Sequence, residues 1–273
     1  MRIWNLIEDT SGENGCRFEH GLSFYLETEE HKVLVDTGAT GLFLVNAKLL
    51  GVDLKQVDTV ILSHGHYDHS GGILAFANMN PNAKIYVREN VFENYCRIKG
   101  DGYKYIGVDK EIANLPQVIR VKGDFGIDSE LFLFTDVSGR KYWPKGNLSL
   151  KVNREGDILQ DDFTHEQYLR VKCEGKAVLL SGCAHNGILN ILDRYVEMNG
   201  HEPDAVFSGF HMMKHDGYTE EDREIFRDTA QELTKYKTRF FTGHCTGAEP
   251  FQMMKEIMGD QIVYIHSGEY VEL

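Results

Sequence analysis

Four potential metal ligands fall within six residues of the segment Ser63-His64-Gly65-His66-Tyr67-Asp68-His69-Ser70-Gly71-Gly72. Neutral imidazole suits zinc, iron, nickel and copper, and a carboxylate widens the choice to manganese. His64 and His66, two apart in an extended segment, project to the same side. Asp68 and His69 follow as the chain turns into a helix, where they can face a second ion. Gly65 permits a tight turn, and Gly71-Gly72 permit close packing at the helix start. Solvated loop histidines do not account for three imidazoles and a carboxylate at this spacing. The chemistry implied is hydrolysis or group transfer through a metal-bound hydroxide, since a divalent ion lowers the pKa of its water toward about 7. In this reading Asp68 both binds metal and orients the water.

The elements that must hold these residues are short apolar runs that end in small or polar clusters. Val33-Leu34-Val35 runs into Asp36-Thr37-Gly38, and Val60-Ile61-Leu62 into Ser63-His64. Ala177 to Leu180 runs into Ser181-Gly182-Cys183-Ala184-His185, and Ala205-Val206-Phe207 into Ser208-Gly209-Phe210-His211. Arg239-Phe240-Phe241 leads to Thr242-Gly243-His244, and Ile262 to Ile265 leads to His266. Runs of this length and β-branched or aromatic content predict buried strands. Helices are predicted between them at Gly41–Leu50, Gly72–Met79, Gly187–Met198 and Thr219–Tyr236. The last opens with Thr219 and three acidic residues, a cap and dipole signal. Strands alternating with helices imply a layered α/β fold. Strand after strand ends near a histidine or aspartate, so one rim of the sheets should collect the metal-binding side chains.

Other histidines extend the candidate set. His211 ends a strand on the same rim, as a ligand or a substrate contact. His211 and His20 are candidates for donating a proton to a leaving group, and His165 for a place beside the metals or on them. His31, His201 and His215 lie in polar stretches and are expected at the surface, while His266 fits either reading. The stretch at about 87–146 is rich in aromatic and basic residues, among them Arg88, Tyr95, Arg97, Tyr103, Lys104, Trp143 and Lys145. It reads as a substrate-facing insert in a single domain spanning 1–273, whose cations could hold a phosphate.

Composition sets the outer bounds. The 273 residues carry a net charge of −13, a poor match for a nucleic-acid backbone. No apolar stretch approaches the roughly 20 residues needed to cross a bilayer, and the N-terminus lacks a signal-peptide core. Five scattered cysteines, with no CxxC pairing, argue against a disulfide framework and for a reducing cytoplasm. The expected partner is a small molecule, with no membrane and no nucleic acid; self-association is left open.

The segment His64 to His69 resembles the HxHxDH signature of the metallo-β-lactamase superfamily. The likeness extends to the Asp36-Thr37-Gly38 turn, the turn at His185 and the Gly243-His244 turn. It implies a four-layer αββα sandwich of the metallo-β-lactamase type with two divalent metals at one sheet edge, zinc foremost and iron or manganese admissible. It assigns His64, His66 and His185 to the first metal, and Asp68, His69 and His244 to the second. Cys183 stands where the superfamily usually has an aspartate that bridges the metals. Either the Cys183 thiolate contributes to the metals or their surroundings, or another group supplies the bridge, or the second metal is weakly held; the favoured expectation is a small buried residue, with His211 or a water-derived hydroxide completing the site. Phe18 to Ser23, His165-Glu166-Gln167, Ser181 to Gly187 and Gly209-Phe210-His211 are similar to a subgroup of superfamily II metal-dependent hydrolases. That subgroup includes archaeal dihydropterin–aminobenzene phosphate synthases.

The leading expectation is therefore a dinuclear enzyme that hydrolyses or transfers a group on a phosphorylated small molecule. Its rivals are a pterin-linked condensing synthase that releases pyrophosphate, a thioester or lactone hydrolase, and a redox or ligand-sensing metalloprotein without hydrolytic turnover. Superfamily members with a redox di-iron site typically place glutamate at the second histidine of the motif, and His66 argues against that rival.

Overall fold

The computed structural model describes residues 1–214 and 216–273; His215, expected at the surface, lies outside the described residues. The chain begins with strands β1 (Arg2–Ile7), β2 (Ser23–Glu27) and β3 (Lys32–Val35), then helix α1 (Leu42–Leu49) and β4 (Thr59–Ile61). Helices α2 (Tyr67–Ser70) and α3 (Ile73–Met79) lead to β5 (Lys84–Arg88) and the hairpin β6 (Asn94–Lys99) and β7 (Gly102–Tyr105). Strands β8 (Val118–Val121), β9 (Phe125–Gly126) and β10 (Leu131–Phe134) precede a second hairpin, β11 (Leu150–Arg154) and β12 (Asp157–Gln160). After β13 (Tyr168–Cys173) and β14 (Lys176–Leu180) come α4 (Ile188–Asn199), β15 (Ala205–Phe207), α5 (Glu220–Leu233) and β16 (Arg239–Thr242). The chain closes with α6 (Ala248–Met258), β17 (Ile262–Tyr264) and β18 (Tyr270–Glu272).

Two seven-stranded sheets carry the molecule, ordered β18-β1-β2-β3-β4-β5-β8 and β17-β16-β15-β14-β13-β10-β9. The last strand pairs with the first, so both chain ends share one sheet. The apolar runs are continuous because each strand is buried on both faces. Val33 and Val35 pack between the sheets with Ile61, Val178, Leu180 and Phe207, whereas Leu34 and Val60 face α1 and α3 through Phe43 and Phe76. On the second sheet Leu179, Val206 and Phe240 turn outward onto α4, α5 and α6, against Leu192, Phe226 and Met254. Helices therefore cover both outer faces, which is the expected αββα sandwich. Thr219 caps α5, and its hydroxyl and the Asp222 carboxylate close a reciprocal capping box.

Within both sheets the strands that precede site residues run parallel: β3-β4-β5-β8 in one, β14-β15-β16-β17 in the other. Their carboxyl ends open on one rim, the usual place for a site in such sheets. The stretch 87–146 is not an insert standing apart from the sandwich. Its Val118–Val121 and Leu131–Phe134 are strands of the two main sheets, and only β6-β7 leaves them, joining β11-β12 in a four-stranded sheet over the rim. Charged neighbours had hidden the ordinary strand content of Val-Ile-Arg-Val and Leu-Phe-Leu-Phe. No helix among the described residues is long and apolar enough to cross a membrane.

Candidate metal centre

His64, His66 and His185 meet at the rim as a near-equilateral triangle, with ring centroids 4.7, 4.9 and 4.9 Å apart. All three are buried, and the Nε2 of each has no hydrogen-bond partner among the described residues. Anchors on the opposite side explain this. His64 Nδ1 lies 2.9 Å from Ser63 Oγ, which itself donates to Asp36 Oδ2 at 2.6 Å. The Ser63 oxygen therefore accepts from the ring, and the Nε2 of His64 is left with a bare lone pair. Likewise His185 Nδ1 donates to Asn147 Oδ1 at 2.9 Å.

The second group adjoins the first. His69 Nδ1 donates to Asp36 Oδ2 at 2.6 Å and points its Nε2 inward, 3.1 Å from Cys183 Sγ. His244 Nδ1 donates to Asp9 Oδ1 at 2.5 Å, and its buried Nε2 has no close partner. Asp68 Oδ2 lies 3.5 Å from His244 Nε2 and 3.8 Å from His69 Nε2. Those separations are too long for firm hydrogen bonds. They match the roughly 3.3–3.8 Å between ligand atoms around a tetrahedral ion with bonds of about 2.0–2.3 Å. Unpaired buried lone pairs are costly, and carboxylate-anchored imidazoles are the usual surroundings of a metal. The donor set fits divalent cations: zinc, iron or manganese by its mixture of imidazole and carboxylate.

Residues remote in sequence shape the turns. Glu166, buried, accepts from the backbone N–H groups of His185 (2.6 Å) and Asn186 (2.9 Å) and so holds the turn after β14. Glu8 does the same for His244 at 2.9 Å. A side chain at Gly182 would place its Cβ 2.2 Å from Ser63 Oγ, so the approach of this turn to Ser63 and His64 requires glycine.

The candidates outside the two groups separate clearly. The Gly65 N–H donates to His165 Nδ1 at 2.9 Å, so its Nε2 carries the proton and faces Asp161 Oδ2 at 3.1 Å. Both nitrogens are used; His165 is not a ligand but a prop beneath the His64–His66 loop. His20 is half exposed, with Nδ1 on Asp9 at 2.8 Å and Nε2 3.5 Å from Asp68 Oδ2. His211, in the left-handed region at φ 49°, has its ring centroid 4.1 Å from that of His185 with the planes tilted by 55°, and its buried Nδ1 has no partner among the described residues. His201 is exposed as expected. His31 instead bridges Asp58 (2.8 Å) and Asp128 (2.7 Å), and His266 contacts Thr10 Oγ1 at 2.5 Å; neither reaches the site.

A cavity of about 750 Å³ opens over the centre, lined by His20, His66, Asp68, Cys183, His185, His211 and His244 and by a ring of cations. Lys145 pairs with Glu221, and Lys214 with Asp222. Arg97, Lys99 and Lys104 on the β6-β7 hairpin have no carboxylate partner among the described residues. Arg97 and Lys104 stand directly opposite each other in the strand register. Lys104 also lies over the Tyr67 ring, 5.4 Å from its centroid. The basic character of this stretch, Lys99 included, is legible in the sequence; Lys214 and the supporting acids Glu8 and Asp9 are not.

Without a cation the centre has opposing charge preferences. Burial and neighbouring imidazoles push His64 and His185 well below the ordinary histidine value, and burial takes His66 down to about 3. Burial also works against a charged His244, but Asp9 and Asp68 outweigh it and hold that ring above the ordinary value. His20 is raised, chiefly by its hydrogen bond to Asp9. Below about pH 6.5 the unfolded chain protonates His64, His66 and His185 while the folded chain does not, so stability falls with pH there. His20 and His244, shifted upward, contribute stability that is fully present below that pH and lost only as pH rises, so they do not oppose the fall. Chelated protein should therefore melt at progressively lower temperature from about pH 6.5 to about pH 5. A flat melting profile over that range would contradict the neutral, buried triangle.

The profile of the metallo-β-lactamase superfamily matches residues 16–150. The chain is 27% identical to the 7,8-dihydropterin-6-methyl-4-(β-D-ribofuranosyl)-aminobenzene-5′-phosphate synthase of Methanocaldococcus jannaschii, over 100% of its own length and 96% of that protein's. A crystallised metal-dependent hydrolase of the β-lactamase superfamily matches with TM-score 0.82 and 29% identity, covering 100% of this chain and 99% of that one. Zinc-bound PqqB from Methylobacterium extorquens, at TM-score 0.58 and 12% identity over 100% of both chains, shares the fold alone.

Proposed function

The chain belongs to the metallo-β-lactamase superfamily, and from that premise we propose that it hydrolyses or transfers a group on a phosphorylated small molecule with two divalent ions. His64, His66 and His185 would hold one ion; Asp68, His69 and His244 would hold the other. Ions held there would supply an activated water and polarise the oxygen of the phosphoryl group whose phosphorus is attacked. The remaining steps belong to side chains. Asp68, beside His69 and His244, orients the attacking water. His20, raised in pKa and open to the cavity, carries a proton at Nε2 for the leaving group. His211 presents its unpartnered Nδ1 beside His185 and contacts the substrate.

One observation carries the phosphate: the facing Arg97 and Lys104, with Lys99 two residues along the same strand. Like charges directly opposite on a hairpin destabilise it, and an anion between them removes the repulsion. The chain as a whole is acidic, so this local reversal of sign at the cavity mouth is selective for an anionic group. Replacing Arg97, Lys99 and Lys104 together by alanine should raise KM for a phosphorylated substrate by about 10–100-fold, the size of a few charge-assisted hydrogen bonds, with kcat little changed. A panel of phosphate mono- and diesters, thioesters and lactones tests the assignment. Turnover confined to thioesters or lactones would refute it in favour of the rival hydrolase.

The full-length likeness to an aminobenzene-phosphate synthase supports a second reading, condensation at a pterin centre. Dihydropterin diphosphate consumed only when an aminobenzene acceptor is present would establish that reading; consumption without the acceptor would leave hydrolysis. A reducing, cytoplasmic setting is consistent with the five free cysteines, all buried.

A further inference from the structure

Cys183 is the one residue that belongs to both ligand groups. Its Sγ stands with Asp68, His69 and His244 in one set, and with His64 and His185 in the other. Within each set all ligand atoms lie within 4.8 Å of one another. Its 3.1 Å separation from His69 Nε2 is a ligand-to-ligand distance as much as a weak hydrogen bond. Around it the Nε2 atoms of His64, His185 and His244 are buried and lack partners among the described residues. A small apolar filler would sit against carbon; this sulfur sits against five metal-binding groups.

We propose that the Cys183 thiolate is a shared ligand, bonded to both ions and lying between them. The assignment presupposes the two ions proposed above. It reverses the expectation that Cys183 is a passive buried residue. The reason is positional: the turn after β14 carries Cys183 and His185 on the same loop, and Gly182 lets that loop reach Ser63 and His64. Charge gives a second reason. Apart from Asp68, the side chains of both ligand sets are imidazoles or this sulfur, and imidazole binds metal in its neutral form. Two divalent ions a few ångströms apart repel, and an anion between them offsets that repulsion. Thiolate is also a strong zinc ligand, and a thiol that coordinates a cation is deprotonated outright. The neighbouring Cys245 stands with Cys183 and His211 in a third set, one without His64, His69 or His244. Its Sγ accepts the His211 N–H at 3.3 Å and lies 3.7 Å from the Cys183 carbonyl.

Reconstitution of chelated protein with Co²⁺ tests this, because cobalt–thiolate bonding gives an intense near-ultraviolet charge-transfer band that imidazole and carboxylate lack. Wild type should bind two cobalt ions and show the band. Cys183→Ser should lose the band and hold one ion about tenfold or more weakly. Cys183→Asp should keep both ions without the band, and Cys245→Ser should keep both ions and the band. Two cobalt ions in wild type without the band, or a band that survives in Cys183→Ser, would overturn the assignment. If the serine variant does not fold, the wild-type and Cys183→Asp spectra decide: a band present in the first and absent from the second supports the shared thiolate, and any other pair overturns it. Failure of wild type to take up cobalt would instead remove the two-ion reading along with this one.

Discussion

His66→Ala is expected to abolish most turnover, by about a thousandfold or more, while the fold survives. Lewis-acid stabilisation by an ion is worth several kcal/mol, and roughly 4 kcal/mol is a thousandfold in rate. His66 supplies one of three buried Nε2 atoms in its group, so its loss leaves an ion with too few protein ligands. The stability cost should be small, within about 1–2 kcal/mol. His66 lies at the start of α2 and lines the cavity, so its removal extends an existing solvent space rather than opening a void in the core. Metal content by elemental analysis, steady-state kinetics and a thermal melt check the three parts. Normal turnover with two ions per chain would exclude His66 as a ligand. An unfolded variant would show that the ion has a structural role as well.

The legible parts of this centre are those whose meaning is local. His64, His66, Asp68 and His69 are read together because they are neighbours in sequence, and their spacing in a strand-to-helix turn has few other uses. The strands that end near His185, His211 and His244 are legible as apolar runs, since parallel strands covered on both faces carry no polar alternation. β1 is less so. Asn5 interrupts its apolar pattern, and the side chain is satisfied only by the distant Ile265 carbonyl at 2.8 Å. With β1 obscured, nothing in the sequence marks Glu8 and Asp9 as partners of His244, although they anchor it.

His165 and Cys183 are the two residues whose place, on the metals or beside them, the sequence leaves open. His165 resembles a ligand until its Nδ1 is seen to accept the N–H of Gly65, a hundred residues away in sequence. Cys183 resembles filler because a solitary cysteine carries no sequence neighbour that declares its purpose. The five metal-binding groups around it come from three separate segments brought to one rim. The opposition of Arg97 and Lys104 depends on hairpin register, which composition does not specify.

Asp36→Asn is expected to weaken one ion by about 10–100-fold and to lower stability by roughly 2–3 kcal/mol, although Asp36 touches no ion. Three donors converge on its buried carboxylate: the Ser63 N–H at 2.7 Å, the Ser63 hydroxyl at 2.6 Å and His69 Nδ1 at 2.6 Å. Asp36 adopts φ 61°, which asparagine also tolerates, so the substitution changes hydrogen bonding without straining the backbone. The amide has a single acceptor oxygen. The Ser63 N–H cannot rotate away and keeps that oxygen, which turns the amide NH₂ toward the Ser63 hydroxyl and His69. The hydroxyl can reorient to accept, but His69 must move its proton from Nδ1 to Nε2. The nitrogen that faces Asp68 and Cys183 then carries hydrogen instead of a lone pair and cannot bind metal. Nitrogen-15 spectra of the imidazole should show this tautomer change in the chelated variant, alongside a chelator-competition measurement of affinity. A variant that keeps Nδ1–H and binds both ions as tightly as wild type would show that Asp36 only packs the turn and does not set the orientation of His69.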